Sequence, residues 1–315
     1  MAASDLHSLD SDPPRSRGDF VRSSTPKLVP LLVHGSAAAA SLLGATGCAE
    51  LAHANLIDPL EAQRLADDAL LRAPIDEARE ATLLERAGST GALIELSAGG
   101  PGAPTLVTIH GINGAPDSVD PLNDRGVDKG ERVLTFAYDD RHSRLTTTSN
   151  LLARQLSEWM SSHPGETLRI EAHSMGGRIA LGALGKLQAS GQLSGPVELV
   201  LIAPPLAGYG SANGARMLPA FFARLIGGAM PGKDMGTRSG FQKMLERLRL
   251  PENVKSTIYV ASDDTIASPE SPTNAKIARN LGARLIRVDG ADHDSVISRV
   301  ASGDTTGFVD ITPVD

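Results

Sequence analysis

From residue 92 onward the chain alternates between two hydrophobic periods. Compact apolar runs at 92–96, 105–110, 132–136, 168–172, 197–202, 257–261 and 284–288 predict strands. The run at 105–110 (TLVTIH) is continuously apolar, as suits a strand in a sheet covered on both faces. Stretches at 145–161, 175–189, 272–281 and 292–300 repeat apolar residues at helical spacing. In the first of these, Leu151, Leu152, Leu156, Trp159 and Met160 form one stripe. Repeated strand–helix alternation predicts an α/β fold with a doubly wound, mainly parallel sheet.

The flanks read differently. Residues 1–25 are rich in Ser, Asp, Pro and Arg without periodicity, the signature of disorder. Over 58–87 the pattern is helical: Asp58 can cap, Pro59 takes the first helical position, and Leu60, Leu65, Ala69 and Leu70 recur at helical spacing. Pro74 divides this stretch into two helices. Residues 205–250 break the alternation just before the 257–261 strand, and they carry Leu218, Phe221, Phe222, Leu225, Ile226, Met230, Met235 and Phe241. Such an insertion is either lid-like or an extension of the core. The expected organisation is an N-terminal segment 1–48, a helical extension 49–90, a main α/β domain 91–303 holding the insertion 205–250, and a tail 304–315.

Composition narrows the function. The net charge of −7, with no basic run, argues against a nucleic-acid partner. Aromatic residues make up only 3% of the 315, so no broad aromatic platform is expected. A single cysteine, Cys48, allows no intramolecular disulfide and no cysteine zinc site. No spaced His/Asp/Glu set suggests a metal, and no Gly-x-Gly-x-x-Gly or Gly-Lys-Ser/Thr loop suggests a nucleotide cofactor, so none is expected. Cys48 nevertheless has a suggestive setting. Arg22 and Lys27 precede an apolar run over 28–43, which ends in Ala45-Thr46-Gly47-Cys48. This resembles a bacterial lipoprotein signal, in which the cysteine is acylated after cleavage. The resemblance implies export and a membrane tether through Cys48. Ala45 stands where such signals usually carry Leu, and His34 interrupts the run. The bland alternative is a chance cysteine in an ordinary cytoplasmic protein's N-terminus.

The sharpest local signal is Ala172-His173-Ser174-Met175-Gly176-Gly177, between a predicted strand and a predicted helix. A serine on so tight a turn needs small residues two before and two after it, and Ala172 and Gly176 are small. The turn would lift the hydroxyl to the carboxyl end of the sheet. It would also set the Met175 N–H at the positive end of the following helix. With His110-Gly111-Ile112-Asn113-Gly114 after the 105–110 strand, this segment resembles the lipase and esterase branch of the α/β-hydrolase superfamily. The phrase Phe136-Ala137-Tyr138-Asp139 fits it too. The resemblance spans 92–301, about two thirds of the chain, and leaves the 58–87 helices unexplained.

The resemblance implies Ser174 as nucleophile, with the N–H groups of Ile112 and Met175 as oxyanion donors. It also implies a chain order of serine, acid, histidine. His293 is the only histidine after Ser174, and it follows the last predicted strand. The acid is Asp264, or else its neighbour Asp263; the step Asp264-Thr265-Ile266-Ala267-Ser268-Pro269 suits Asp264 better. Asp292, beside His293, is a decoy, because adjacent side chains rarely align for the Nδ1 bond. His110, Gly111 and His173 are candidates to line the site, although His110 can equally be a structural histidine. The expected activity is carboxylic-ester hydrolysis through an acyl-enzyme, on a small-molecule or lipid ester. An acyltransferase, thioesterase or amidase would use the same three residues. A non-catalytic binding protein on a hydrolase fold is the alternative of another kind.

Overall fold

The computed structural model describes residues 74–208, 231–267 and 271–313. The readings for 1–73, including the Cys48 signal and the first of the two helices, lie outside the described residues, as do 209–230 of the insertion. One sheet organises the rest. Its strands are β1 (Gly91–Ala98), β2 (Thr105–Ile109), β3 (Arg132–Tyr138), β4 (Leu168–His173), β5 (Val197–Ile202), β6 (Val254–Ala261), β7 (Arg284–Val288) and β8 (Phe308–Asp310). In space they run β1-β3-β2-β4-β5-β6-β7-β8. Neighbours from β3 through β7 are parallel, while β1 and β8 add antiparallel edges.

The helices are α1 (Glu77–Ala87), α2 (Asp120–Asp128), α3 (Leu145–Ser162), α4 (Met175–Ala189), α5 (Gly232–Met235), α6 (Gly240–Leu245), α7 (Pro272–Leu281) and α8 (Ser295–Ser302). They cover both faces. Leu152, Leu156, Ile179, Leu184, Leu245 and Ile277, from α3, α4, α6 and α7, share one core with the sheet. Leu122, Val296, Ile297 and Val300, from α2 and α8, fill a second core with Ile202, Ala261 and Val288. Strand β2 is buried at every position, as its unbroken apolar run predicted. None of the helices among the described residues is long and apolar enough to cross a membrane.

The structure departs from the expected elements in three places. Helix α2 lies in a stretch to which the sequence pattern assigned no element; Pro at its start and buried Leu122 and Asn123 anchor it. The helix expected over 292–300 begins at Ser295, because Asp292 folds back to accept from the Ser295 N–H at 2.8 Å. The segment read as a tail contributes β8, whose three residues pair with β7 and are too few to carry a period. The described part of the insertion, 231–250, belongs to the core: Met235, Phe241, Leu245 and Leu248 are buried in it. Fully buried Arg178 of α4 ties this part down, donating to Gln242 Oε1 at 2.8 Å and to the carbonyls of Pro205 and Asp234 at 2.8 and 3.1 Å.

After β2 the chain moves outward to β3, then returns across β2 to place β4 on its other side. The carboxyl ends of β2 and β4 therefore flank a topological switch point, where open α/β sheets leave a crevice. Helix α4 can lie close to α3 because it presents Gly182 there: a Cβ would stand 2.5 Å from Ser149 Oγ and 2.9 Å from Phe241 Cζ. In Gly182→Ala the gain in helix propensity, about 1 kcal/mol, opposes overpacking of about 1–3 kcal/mol. Crowding should win, and thermal unfolding should show a Tm lowered by a few degrees. An unchanged or raised Tm would mean that α3 yields freely.

Candidate active site

Strand β4 ends at His173, and Ser174 takes φ 51° and ψ −123° before α4 begins at Met175. A serine in this region is strained. The turn survives because both sides of it are held: the Ser174 N–H donates to Ile202 O at 2.9 Å, and the Gly177 N–H donates to Ser174 O at 3.0 Å. Gly176 is required by contact, since a Cβ there would lie 2.7 Å from Ile109 O and closer still to His110 O. Gly111 meets the serine from the other side: its Cβ would stand 3.0 Å from Ser174 Cβ and 3.5 Å from Ser174 Oγ. Met175 is the first residue of α4, so its N–H has no acceptor within the helix.

Ser174, His293 and Asp264, far apart in sequence, meet above this turn. His293 Nε2 lies 2.8 Å from Ser174 Oγ, and His293 Nδ1 lies 2.8 Å from Asp264 Oδ2. All three are buried. The other carboxylate oxygen of Asp264 accepts the N–H groups of Ile266 and Ala267, each at 2.7 Å, which fixes the carboxylate plane. Asp263 is exposed and accepts from the Ser262 hydroxyl instead. Asp292 faces solvent and holds Ser295, whose hydrogen bonds keep its carboxyl below the usual range.

Of the three residues expected to line the site, Gly111 and His173 do so and His110 does not. The His173 ring packs 4.9 Å from that of His293, and its Nε2–H donates to the His293 carbonyl at 2.9 Å. Burial and the adjacent His293 push its pKa down to about 3, so it stays neutral. His110 is fully buried behind the loop that carries Gly111 and Ile112. Its Nδ1 faces Gly111 O at 2.8 Å, its Nε2 faces Glu80 Oε1 at 3.0 Å, and it stacks on Tyr138 at 4.2 Å.

Sequence reasoning missed this layer. Glu80 of α1, Tyr138 and Asp140 surround the 110–113 loop, and Asp140 accepts the Asn113 N–H. Burial raises the Asp140 carboxyl to about 6, against the pull of His110 and the Asn113 bond. The one legible signal was Glu80 itself, a charge on the same helix face as Leu83 and Leu84.

One group of potential metal ligands occurs among the described residues: His173, His293 and Asp294, with ligand atoms within 4.8 Å of one another. Both nitrogens of His293 are engaged by Ser174 and Asp264, and His173 Nε2 by the His293 carbonyl, so the donor set does not fit a cation. A groove of about 720 Å³ opens elsewhere, between α3, α4 and α6, lined by Ser149, Gly182, Phe241, Met244 and Leu248. Ser174 and His293 lie outside its lining.

The depressed His173 pKa links stability to pH. The unfolded chain takes up this proton below about 6.5, whereas the native protein resists it down to about 3. The stabilisation is therefore complete above pH 6.5 and is lost as pH falls. Between pH 7 and pH 5 it should cost about 2 kcal/mol. Urea unfolding should show that excess acid sensitivity in wild type and not in His173→Gln. Equal pH slopes would contradict a neutral, buried His173.

No protein-family model matches this sequence, and no curated protein matches it. Solved structures do resemble the chain in fold. The mature Bacillus licheniformis lipase BlEst2 superposes with a TM-score of 0.51 at 17% identity, covering 66% of this chain and 92% of that one. Carboxyl esterase 2 of the fungus Tuber melanosporum gives 0.47 at 18% identity, covering 68% and 81%. The sheet order, the strand-to-helix turn at the switch point and the Bacillus likeness together show that this chain has the α/β-hydrolase fold.

Proposed function

We propose that the protein is a serine hydrolase that cleaves carboxylic esters through an acyl-enzyme. One observation carries this reading: the two 2.8 Å contacts that run from Ser174 Oγ through His293 to Asp264. Asp264 accepts from Nδ1–H, which leaves the Nε2 lone pair facing the serine hydroxyl. In the proposed cycle, Nε2 takes the Ser174 proton as Oγ bonds to the ester carbonyl carbon. The carbonyl electron pair moves onto oxygen, and the N–H groups of Ile112 and Met175 receive that charge. The C–O bond to the alcohol then breaks, and His293 returns the proton to the departing oxygen. Water, deprotonated by the same nitrogen, attacks the acyl carbon; the C–Oγ bond breaks, His293 returns the proton to Ser174 Oγ, and the carboxylic acid leaves. The imidazolium formed in each half is balanced by Asp264.

The surroundings support this assignment. Gly111 and Gly176 leave room for backbone on both sides of the nucleophile. The acid and base loops are joined: the Asp263 N–H donates to Ala291 O at 2.9 Å, and the Gly290 N–H donates to Ser262 Oγ at 2.9 Å. A base held to this degree loses little on reaching the transition state. The lipase and esterase names of the structural neighbours favour an ester as substrate.

Wild-type protein should be labelled by a fluorophosphonate probe and should hydrolyse p-nitrophenyl esters, the chain-length profile reporting the acyl group preferred. Ser174→Ala should abolish both while its unfolding transition persists. Asp264→Asn should lower kcat by about 10³–10⁴-fold, because the amide favours the wrong His293 tautomer. Asp263→Asn should stay within about 3-fold. Wild type that neither labels nor turns over any ester in the series would end this reading, and Asp263→Asn as the damaging change would reassign the acid.

A further inference from the structure

The loop that would supply the Ile112 donor is oriented by a residue 30 positions upstream. In a trans peptide the C=O and N–H of one plane point in opposite directions. The plane joining residues 111 and 112 contains the Gly111 carbonyl and the Ile112 N–H. Whatever holds the first therefore aims the second. The Gly111 carbonyl accepts from His110 Nδ1 at 2.8 Å, with the Tyr138 hydroxyl at 3.4 Å behind it. The preceding carbonyl, of His110, takes the Tyr138 hydroxyl at 2.8 Å, and the following N–H, of Asn113, is taken by Asp140. Asn113 itself sits at φ 55°, so this loop is not in its relaxed form.

His110 has no freedom of its own. Its ring is fully buried and stacked on Tyr138, and both nitrogens face oxygen acceptors. The Gly111 carbonyl can only accept, so Nδ1 carries the hydrogen of that contact, and Glu80 Oε1 engages the other side of the ring at Nε2. The same Oε1 of Glu80 also accepts the Tyr138 N–H at 2.8 Å. One buried carboxylate oxygen thus braces both side chains that hold the 110–112 carbonyls. Without it the Nε2 side of the ring loses its partner, the ring can turn or change tautomer, and Gly111 O can lose the Nδ1–H donor. The 111–112 plane is then free to turn, and Gly111 offers no side chain to resist.

We propose that Glu80 is a positioning residue for the oxyanion site: acting through His110, it keeps the 111–112 peptide turned so that the Ile112 N–H faces the Ser174 hydroxyl. This rests on the serine-hydrolase reading above and adds α1 to the machinery. Glu80 touches no substrate, so its loss should weaken stabilisation of the oxyanion more than binding of the ester.

The test compares wild type with Glu80→Gln and Glu80→Ala in the full chain. Removing an oxyanion donor outright costs about 10²–10³-fold in kcat, so a misaimed one should lower kcat by about 10–100-fold. KM should remain within about 3-fold. Affinity for an alkyl boronic acid, whose tetrahedral Ser174 adduct needs the donors, should fall in step with kcat. Amide hydrogen exchange at Ile112 and Asn113 should quicken, and exchange at 168–173 of β4 should not. If Glu80→Ala fails to fold, the near-isosteric Gln variant carries the test. A variant with a lowered Tm but wild-type kcat, boronate affinity and loop exchange would overturn the proposal, leaving Glu80 merely structural. The exchange arm separates the two readings: quickened loop exchange in a protein whose wild type has no esterase activity would sink the hydrolase reading and leave the brace standing.

Discussion

Everything at this site depends on one strained residue. Ser174 holds a positive φ with a side chain attached, a state worth about 1–3 kcal/mol of strain. It persists because its neighbours allow no relaxation. Strand β4 is paired on both flanks, with β2 and β5, up to the turn itself. Helix α4 starts at the next residue and packs its Gly176 against the ends of β2. The strain throws the hydroxyl out of the sheet at the switch point instead of along the helix. Two demands follow from that placement. Residue 111 must lack a side chain, and residue 176 must do so as well, because backbone from β2 closes on the turn from both directions.

His293 and Asp264 approach Ser174 on separate loops, and the loops are joined by bonds of their own. Backbone bonds tie 262 to 288 and 263 to 291, so the crests after β6 and β7 move as one piece. His173 adds a third tie, from the elbow itself to the His293 carbonyl. The three reactive groups are therefore triangulated by bonds that do not involve their own functional atoms. That is the geometric meaning of preorganisation: the relay is not left to assemble itself from flexible parts. A charged histidine at 173 would oppose the imidazolium that the proposed catalysis requires. Burial prevents this by keeping 173 neutral.

What could be read from the sequence divides along a physical line. The strand-to-helix turn at Ser174 was legible because close backbone approach demands small residues at fixed offsets, and Ala172 and Gly176 supply them. Strand β5 was legible because its burial largely alternates, and α4 because its fully buried first ten residues follow the tight turn at Ser174. The preference for Asp264 over Asp263 came from the resemblance, through the step Thr265-Ile266-Ala267-Ser268-Pro269 that follows it, and the N–H groups of Ile266 and Ala267 in that step hold the Asp264 carboxylate. Contacts between distant segments leave no such local trace. Strand β8 exists only because β7 has an open edge. The His110 ring turns away from the site because Glu80, on a helix outside the recognised core, competes for it. A histidine beside a glycine loop looks the same in sequence whether its ring faces substrate or the interior.

That contact explains how α1 joins the proposed working unit. A buried carboxylate is expensive unless its partners are in place, and stranding one member of a buried pair costs more than the pair returns. Glu80 meets its partners only when α1 lies along β1 and β3, with Leu83 and Leu84 covered. Ile75 adds a backbone bond to Asp117, which starts the turn leading into α2. Docking of the helix and completion of the oxyanion loop are thus one event. A chain that has folded its sheet but not yet docked α1 would carry Ser174, His293 and Asp264 in register, and would still lack the Glu80 contact that holds His110. The relay alone does not complete such a site, because the peptide that would receive the negative charge is aimed from outside the triad.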